Sequence, residues 1–290
     1  MLKLQSINFK DQNGNEYFIN QNQVESFPLQ GGETANWIST VSWNQHGNTP
    51  IDAMMQVYDG ELIFIIRTAF MIPEEIANER RKITNICNPL NGTVTMEVTL
   101  NDGSKYNRDI TFTSAPVFPI GAENRNREWQ KVQLIYTANN PFWYAETEMV
   151  ESFQGVNPLF NFPFTMSTTT PVIFGTIIPN KIAVNEGQVD APVVITIKGA
   201  CTNPIIENET TGEFIAFKNL TMTATDTLVI DTTFGQKKVE LNGTNVFNKL
   251  DFASTFFNLK IGENTIDFSD STGTSTATVQ FNYKNLYVTI

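Results

Sequence analysis

The sequence predicts a mainly β protein. Val, Ile and Thr are frequent and Phe occurs 22 times, a mixture that favours pleated sheet over helix. Turn dipeptides such as Asn-Gly and Asp-Gly recur between apolar or alternating runs, which is typical of hairpins. The chain of 290 residues is also too long for one ordinary small core, so we expect one large or two medium domains.

The first half begins with a hairpin and continues as strands separated by turns. The segments LKLQSINF and EYFIN flank DQNGN, which places Asn13-Gly14 at a hairpin tip. Further turns are predicted at Asp59-Gly60, Asn91-Gly92, Asp102-Gly103 and Asn242-Gly243, because these residues tolerate positive φ. The clearest strands of this half are GELIFIIRTAF and GTVTMEVTL.

One helix is predicted over residues 73–86, within IPEEIANERRKITNICNPL. Pro73 suits the first turn, and the two acids that follow it suit the positive end of the helix dipole. Asn88-Pro89 ends the helix. The apolar stripe of this helix consists of Ile76, Ile83 and Ile86.

The second half reads as short strands with no convincing helix. Its strand segments are PVVITIKG, GEFIAFKN, DTLVIDTT, KKVELNG, FFNLKIGENTIDF and TATVQFNYK. Their spacing of about ten residues is typical of a β-sandwich or jelly roll. Before them, REWQKVQLIYTANNPFWYAE ends in an aromatic cluster interrupted by Pro, and an irregular segment rich in Phe, Pro, Ser and Thr follows.

This change in composition predicts two domains, 1–144 and 145–290, with an irregular linker at about 145–170. The segment YKNLYVTI continues past the sandwich pattern, which leaves open a return of residues 284–290 to the first domain.

Charge and composition exclude several classes of protein. The net charge of −11 argues against a surface that grips nucleic acid, because phosphate neutralisation needs clustered Lys and Arg. The N-terminus lacks the long apolar region of a secretory signal, and no window approaches the roughly 20 apolar residues that span a bilayer, so we expect a soluble protein. Cys87 and Cys201 are far apart, which favours free thiols and a reducing compartment.

The sequence offers weak candidates for catalysis. Asp231 in LVIDTTFGQKKVELNG and Asp270 in DFSDSTGTS suggest an aspartic dyad, in which two carboxylates share one proton on Gly-containing loops. However, Thr-Thr-Phe follows Asp231, and the two acids are too close in sequence to come from paired lobes. Asp231 is more simply the end of a strand that turns into KKVEL.

The other candidate catalytic or metal-binding residues are equally weak. His46 is the only histidine, so every His-based metal site or nucleophilic scheme must use it, and it lies in the loop WNQHGNTP. Acids at 123–128 and 146–151 offer glycosidase carboxylates, but charged residues beside strands are more often solvated faces or interface rims. We therefore predict no enzyme, no cofactor and no metal. A carbohydrate-binding module remains the alternative, since the second half contains Phe clusters, although the four tryptophans all precede residue 145.

Several phrases together resemble the distal tail proteins of long-tailed phages, the siphophage Dit family. They are RRKITNICNPLNGTVTMEV, REWQKVQLIYTANNPFWY and the long run from GACTNPIIENETTGEF to FFNLKIGENTI, in that order. The resemblance covers most of the chain from about residue 80 onward, and residues 1–79 match in strand pattern and in the WNQHG-type loop. It implies an N-terminal β-sandwich or split-barrel domain with one helix that forms a ring, and a C-terminal galectin-like β-sandwich. The sugar-binding residues of true galectins have no counterpart here.

The resemblance also implies a structural role in the virion tail. Six copies would form a ring that joins the tail tube to the baseplate or adhesion device, with receptor-binding proteins as partners and DNA passing through the lumen. The protein would be made in the bacterial host cytoplasm. In such proteins a long hairpin reaches over the neighbouring subunit, and the best candidate lies around residues 44–66. An ordinary hairpin that packs within its own chain is the alternative for this segment. The residues that the resemblance assigns to this interface are His46, Met54, Met55, Val57 and Tyr58.

Overall fold

The computed structural model describes residues 3–27, 35–40, 49–67, 73–126, 128–154, 181–271 and 277–290. The chain divides into two compact units. The N-terminal unit comprises Met1–Glu146 together with Tyr287–Ile290, and the C-terminal unit comprises Thr147–Leu286. The predicted mainly β fold is confirmed, because strands in several sheets dominate the described residues and one α-helix lies among them.

The strands in chain order are β1 (Leu4–Lys10), β2 (Glu16–Asn20), β3 (Val24–Ser26), β4 (Ala35–Thr40), β5 (Thr49–Met55), β6 (Tyr58–Arg67), β7 (Thr93–Leu100), β8 (Lys105–Phe112), β9 (Trp129–Ala138), β10 (Trp143–Ala145), β11 (Met149–Gln154), β12 (Lys181–Asn185), β13 (Val193–Lys198), β14 (Cys201–Thr202), β15 (Ile205–Asn208), β16 (Glu213–Ala216), β17 (Thr221–Met222), β18 (Thr227–Asp231), β19 (Lys238–Leu241), β20 (Thr244–Asn245), β21 (Gly262–Ser269), β22 (Thr278–Tyr283) and β23 (Leu286–Tyr287). The helix is α1 (Pro73–Ile86), and short 3-10 turns lie at Gln21–Gln23, Pro89–Asn91 and Phe247–Lys249.

The N-terminal unit is built on one antiparallel sheet with the order β2-β1-β7-β8-β9-β6-β3. Its longest pairing joins β6 to β9, from Tyr58 opposite Ala138 to Arg67 opposite Trp129. Burial alternates along both strands, as expected for a sheet with one face on the core. That core contains aromatic and branched aliphatic side chains, including Phe9, Phe64, Phe112, Ile7 and Ile83.

Local signals placed the helix and most hairpins correctly. Helix α1 has the predicted bounds of 73–86, and it packs against β2 and β6 with Ile83 and Ile86 buried. The Asn13-Gly14 hairpin is confirmed between β1 and β2, where the Asp11 carboxylate accepts hydrogen bonds from the N–H groups of Asn13 and Asn15. Such side-chain bonding to the following backbone is the reason that Asp initiates turns.

The predicted turn at Asp59-Gly60 is wrong. Both residues lie inside β6, and Gly60 faces Tyr136 across the sheet. A Cβ atom added to Gly60 would lie 2.3 Å from Cζ of Tyr136, so glycine is required here to let the buried ring approach the backbone. Glycine in this position marks a close contact instead of a turn.

The C-terminal unit contains two larger sheets, as a β-sandwich requires. One has the order β11-β22-β13-β18-β19-β20 and the other β12-β21-β15-β16. Both sheets contribute to one apolar core, which contains Ile195, Ile230 and Phe281 from the first sheet and Ile206 and Ile266 from the second. The predicted second-half β-sandwich is therefore confirmed, and two-stranded pairing of β14 with β17 lies beside it.

The predicted hairpin that joins Asp231 to the strand KKVEL is present. Strand β18 pairs with β19, with Asp231 opposite Lys238, and Asn242-Gly243 forms the next turn into β20. Asn242 and Gly243 have φ of 49° and 78°, the left-handed pair that a two-residue hairpin turn needs. In the described part of the chain, no helix combines the length and apolar character needed to cross a membrane.

Candidate interaction surfaces

The predicted interface segment 44–66 does not form one hairpin. Strand β5 pairs with β4, from Ala35 opposite Met55 to Thr40 opposite Thr49, whereas β6 belongs to the large sheet. The hairpin is therefore β4–β5, which spans residues 35–55. In the described residues these two strands pair only with each other. A two-stranded hairpin is marginally stable in water, so this one needs a further surface to pack against.

The residues predicted for the interface differ in exposure. Met54 is 57% exposed and Val57 is 53% exposed, and Ile51 on the same hairpin is 63% exposed. Met55 is half-buried, and His46 lies outside the described residues. Three large apolar side chains are therefore presented to solvent within seven residues of sequence, and the sequence reasoning missed Ile51.

Tyr58 departs from this group because it is buried. Its ring packs against Tyr136 at 6.2 Å between centroids and lies 4.7 Å from the guanidinium of Arg108. Arg108 is itself buried, stacks on Trp143 at 4.1 Å and donates a hydrogen bond of 2.6 Å to the carbonyl of Pro141. Tyr58, which follows the β4–β5 hairpin in the chain, is thus part of the buried core and does not line an exposed surface. Sequence pattern gave no sign of this buried arginine.

A groove lies along the outer side of helix α1. Its volume is about 310 Å³ and it is lined by Ala77, Arg80, Arg81, Thr84, Asn85 and Phe118. The guanidinium of Arg80 lies 4.3 Å from the Phe118 ring centroid. Ile120, two residues after Phe118, is 74% exposed. The groove therefore combines an aromatic floor with a cationic rim.

The helix leaves these cations available. Lys82 forms an ion pair with Glu79, whereas Arg81 donates to the neutral amide of Asn78. Within the described residues, neither Arg80 nor Arg81 forms an ion pair with a carboxylate. Arg80 and Arg81 thus form a local cationic patch in a protein of net charge −11.

The C-terminal unit presents exposed aromatic side chains in residues 247–256. Phe252 is fully exposed at a turn tip, and Phe247 is 45% exposed and stacks on Phe256 at 5.7 Å. The turn that carries Phe252 is held firmly. Asp251 forms an ion pair of 2.8 Å with Lys218 and its N–H donates to the carbonyl of Ala216. Phe252 is therefore an exposed aromatic side chain on a turn that the ion pair and the backbone hydrogen bond of Asp251 connect to neighbouring elements.

The candidate carboxylates serve local structure. Asp231 accepts a 2.9 Å hydrogen bond from the N–H of Thr233, and Asp270 accepts one of 3.2 Å from the N–H of Thr202. Each carboxylate thus fixes a separate piece of backbone. Asp231 lies at the end of β18, as predicted. Among the described residues, no group of His, Cys, Asp or Glu side chains is arranged to hold a metal ion.

A depression of about 410 Å³ on the N-terminal sheet is lined by polar side chains, and charged groups in it form ion pairs. Its lining includes Lys10, Glu97, Asp109 and Glu146. Glu97 lies 3.0 Å from Lys10 and 3.7 Å from Lys105, and the Glu97 bond raises the pKa of Lys10 above its ordinary value. Opposite charges here satisfy one another, which is the behaviour of a solvated sheet face.

Both thiols are buried and free. Burial raises the pKa of Cys87 far above its ordinary value. Burial also raises the pKa of Cys201 to about 11, with a smaller contribution from the negative charge of Asp270. Raised pKa values keep both groups as unreactive thiols at neutral pH.

Comparison with known proteins finds one family model and several solved structures that are similar to this chain. Residues 186–287 match the family model of the siphovirus-type tail component, C-terminal domain (SPP1_Dit). The crystal structure of the SPP1 Dit (gp 19.1) protein, a paradigm of hub adsorption apparatus in Gram-positive infecting phages, aligns with a TM-score of 0.63 and 13% identity. That alignment covers 96% of this chain and 98% of the other.

Two baseplate structures share the fold more distantly. A chain of the phage P2 baseplate in its activated conformation with Ca aligns with a TM-score of 0.52 and 11% identity, over 99% of this chain and 100% of that one. A chain of the same baseplate with Sr gives a TM-score of 0.50 and 11% identity, over 97% and 98%. No curated protein matches the sequence.

Proposed function

Since the SPP1 Dit structure aligns over 96% of this chain and residues 186–287 match the siphovirus-type tail component model, we propose that the protein is a distal tail hub of a phage. In this proposal the protein is structural and not an enzyme. It joins the tail tube to the baseplate or adhesion device, and its place is the virion tail. The observation that carries the proposal is the family match within the C-terminal unit, joined to a fold likeness that extends through both units.

We propose further that six copies close into a ring. A ring with cyclic symmetry uses two different, complementary surfaces on each copy. The β4–β5 hairpin supports this, because its strands lack a third partner among the described residues, and because Met54 on β5 and Val57 just after it are exposed. Met55 belongs to the same proposed interface, as does His46 from the sequence reasoning. Burial of one such apolar side chain contributes about 1.5–3 kcal/mol.

The acidic composition fits a channel that DNA traverses. The net charge is −11, and negative charge facing a lumen repels phosphate, so that DNA slides through without binding. An electropositive channel in the assembled ring would contradict this part of the proposal.

The C-terminal unit supplies the surface for tail-associated partners. Phe252 and Phe247 are exposed on residues whose backbone is anchored to β16 through Asp251. Exposed aromatic anchors on a rigid support are characteristic of protein-docking sites. In this proposal, adhesion, baseplate or receptor-binding proteins dock on the C-terminal unit.

A hexameric hub and a monomeric carbohydrate-binding module, the alternative function, differ in mass. Six chains of 32.6 kDa give about 196 kDa, a mass that light scattering separates from the monomer. Electron microscopy of the same sample should show rings with a central hole. A glycan-binding protein that remains monomeric at every concentration would contradict the hub and support a carbohydrate-binding module.

A further inference from the structure

The sequence contains three Asn-Gly pairs, which begin at Asn13, Asn91 and Asn242. Asparagine before glycine is chemically labile, because the backbone nitrogen of a residue without a Cβ atom reaches the side-chain amide carbon unobstructed. The attack requires the Asn side chain to turn toward that nitrogen. Hydrogen bonds that hold the side chain in another direction therefore slow the reaction, and the three pairs differ in these bonds.

Two of the three side chains are held away from the following glycine. The Asn242 side chain accepts a 2.9 Å hydrogen bond from the N–H of Thr227 and donates one of 2.8 Å to the carboxylate of Asp226. The Asn91 side chain, in a short 3-10 turn, donates to the carbonyl of Asn85. These bonds must break before reaction, and the pair at Asn242, one of them to a charged group, should slow it about tenfold or more.

Asn13 lies at the open tip of the β1–β2 hairpin. Asn13 and Gly14 are both exposed, and a Cβ atom added to Gly14 would meet nothing within 4 Å. Hydrogen bonds lower the pKa of the Asp11 carboxyl, the largest contribution coming from the Asn15 side chain and the smallest from the Asn13 side chain. The Asn13 amide is therefore held more weakly than the amides of the other two pairs, and it has open space in which to turn.

We propose that Asn13 is the site at which this protein deamidates. The Gly14 nitrogen forms a bond to Cγ of Asn13 while the bond from Cγ to the amide nitrogen breaks, and ammonia leaves with the proton of the Gly14 N–H. Water then opens the cyclic imide at either of its carbonyl groups. One product is aspartate at position 13, and the other is an isoaspartyl linkage that routes the backbone through the side chain. This chemistry is independent of the proposed hub function.

The two products differ in their effect on the hairpin. Both add a negative charge, and the isoaspartyl linkage also lengthens the backbone of the tip by a methylene group. The tip is closed by bonds from the Gly14 N–H to the Asp11 carbonyl at 3.1 Å and from the Asp11 N–H to the Asn15 carbonyl at 3.0 Å. A longer backbone cannot keep both bonds, so the isoaspartyl form should open the tip. The buried pair of Phe9 and Tyr17 lies beyond it and should stay intact.

Mass spectrometry of the aged full-length protein tests this site. The folded protein would be kept at mildly alkaline pH, then unfolded in acid and digested with trypsin and a Glu-specific protease, which places the three pairs in separate peptides. Conversion at Asn13 should exceed conversion at Asn242 about tenfold or more and conversion at Asn91 several-fold. An isoaspartyl methyltransferase should label the Asn13 peptide. In a parallel sample held in guanidinium chloride, where the hydrogen bonds are lost, the three pairs should convert at similar rates.

A variant tests the protection of Asn242 directly. Asp226→Ala removes the acceptor of the Asn242 amide and should speed conversion there several-fold, with an unchanged rate at Asn13 as the internal control. Equal conversion of Asn13 and Asn242 in the folded wild type, or faster conversion at Asn91, would overturn the proposal. So would a folded protein in which Asn13 stays intact while the guanidinium sample reacts at all three pairs.

Discussion

Replacing Gly60 with alanine should destabilise the N-terminal unit by about 2 kcal/mol. The new Cβ atom would lie 2.3 Å from Cζ of Tyr136, more than 1 Å inside ordinary contact, and the ring is only 1% exposed. Overpacking of this kind costs about 1–3 kcal/mol. The loss of glycine flexibility in the unfolded chain returns about 0.4–1 kcal/mol, so the clash dominates.

A double-mutant cycle isolates the clash from other effects. Tyr136→Val removes the ring and by itself costs about 3 kcal/mol through the cavity that it leaves. In that background, Gly60→Ala should cost less than about 0.5 kcal/mol, because the methyl group enters vacated space. The coupling between the two positions should therefore be about 1.5–2 kcal/mol.

Urea unfolding followed by tryptophan fluorescence is the assay. Every tryptophan precedes residue 147, so the signal reports the N-terminal unit alone. Gly103→Ala is the matched control, since nothing lies within 4 Å of its added Cβ and its cost arises from a φ of +87°. That control should lose about 1 kcal/mol in either background. A Gly60→Ala protein as stable as wild type, or one whose loss persists beside Tyr136→Val, would refute the reasoning.

Further predictions concern the proposed interface and the C-terminal unit. Met54→Asp should abolish rings in electron microscopy without changing monomer stability, because a charge then enters an apolar contact, whereas Asn13→Asp, with the same charge change at an exposed turn, should keep them. Phe252→Ala should change the melting temperature little, because surface substitutions stay within about 0.5 kcal/mol, and Phe257→Ala, at a ring that is 1% exposed, should cost about 3–5 kcal/mol. Calorimetry that found equal losses would contradict the exposure of Phe252. The lysine hydrogen bond lowers the pKa of Asp251, so its stabilisation is present above the unfolded value near 3.9 and is lost as pH falls through the folded pKa. The stability difference between wild type and Asp251→Asn should therefore shrink below about pH 4, and a difference that grows on acidification would exclude this linkage.

Features with a local cause were predictable from sequence. Helix α1 was placed correctly because Pro73 begins it and Asn88-Pro89 follows it, and these signals act within a few residues. Asn242-Gly243 was placed correctly for the same reason, since Asn and Gly tolerate the positive φ that this turn requires.

Features with a distant cause were not predictable. The turn at Gly60 was predicted wrongly because glycine is required there by the side chain of Tyr136, which lies 76 positions later in the chain. The partner of β5 was missed because strand pairing between residues 35–40 and 49–55 depends on register, which propensity does not encode. Tyr58 was taken for a surface residue because the pattern does not reveal that Arg108 is buried beside it.

The last four residues have a mechanical consequence. Tyr287–Ile290 belong to the N-terminal unit, where the Tyr287 ring packs edge-on against Tyr106 at 5.2 Å and Ile290 packs against the core. The C-terminal unit is therefore an insertion that is tethered at both of its ends. A pulling force on that unit is shared by two backbone connections, and neither can be released without extracting side chains from the packing of the N-terminal unit.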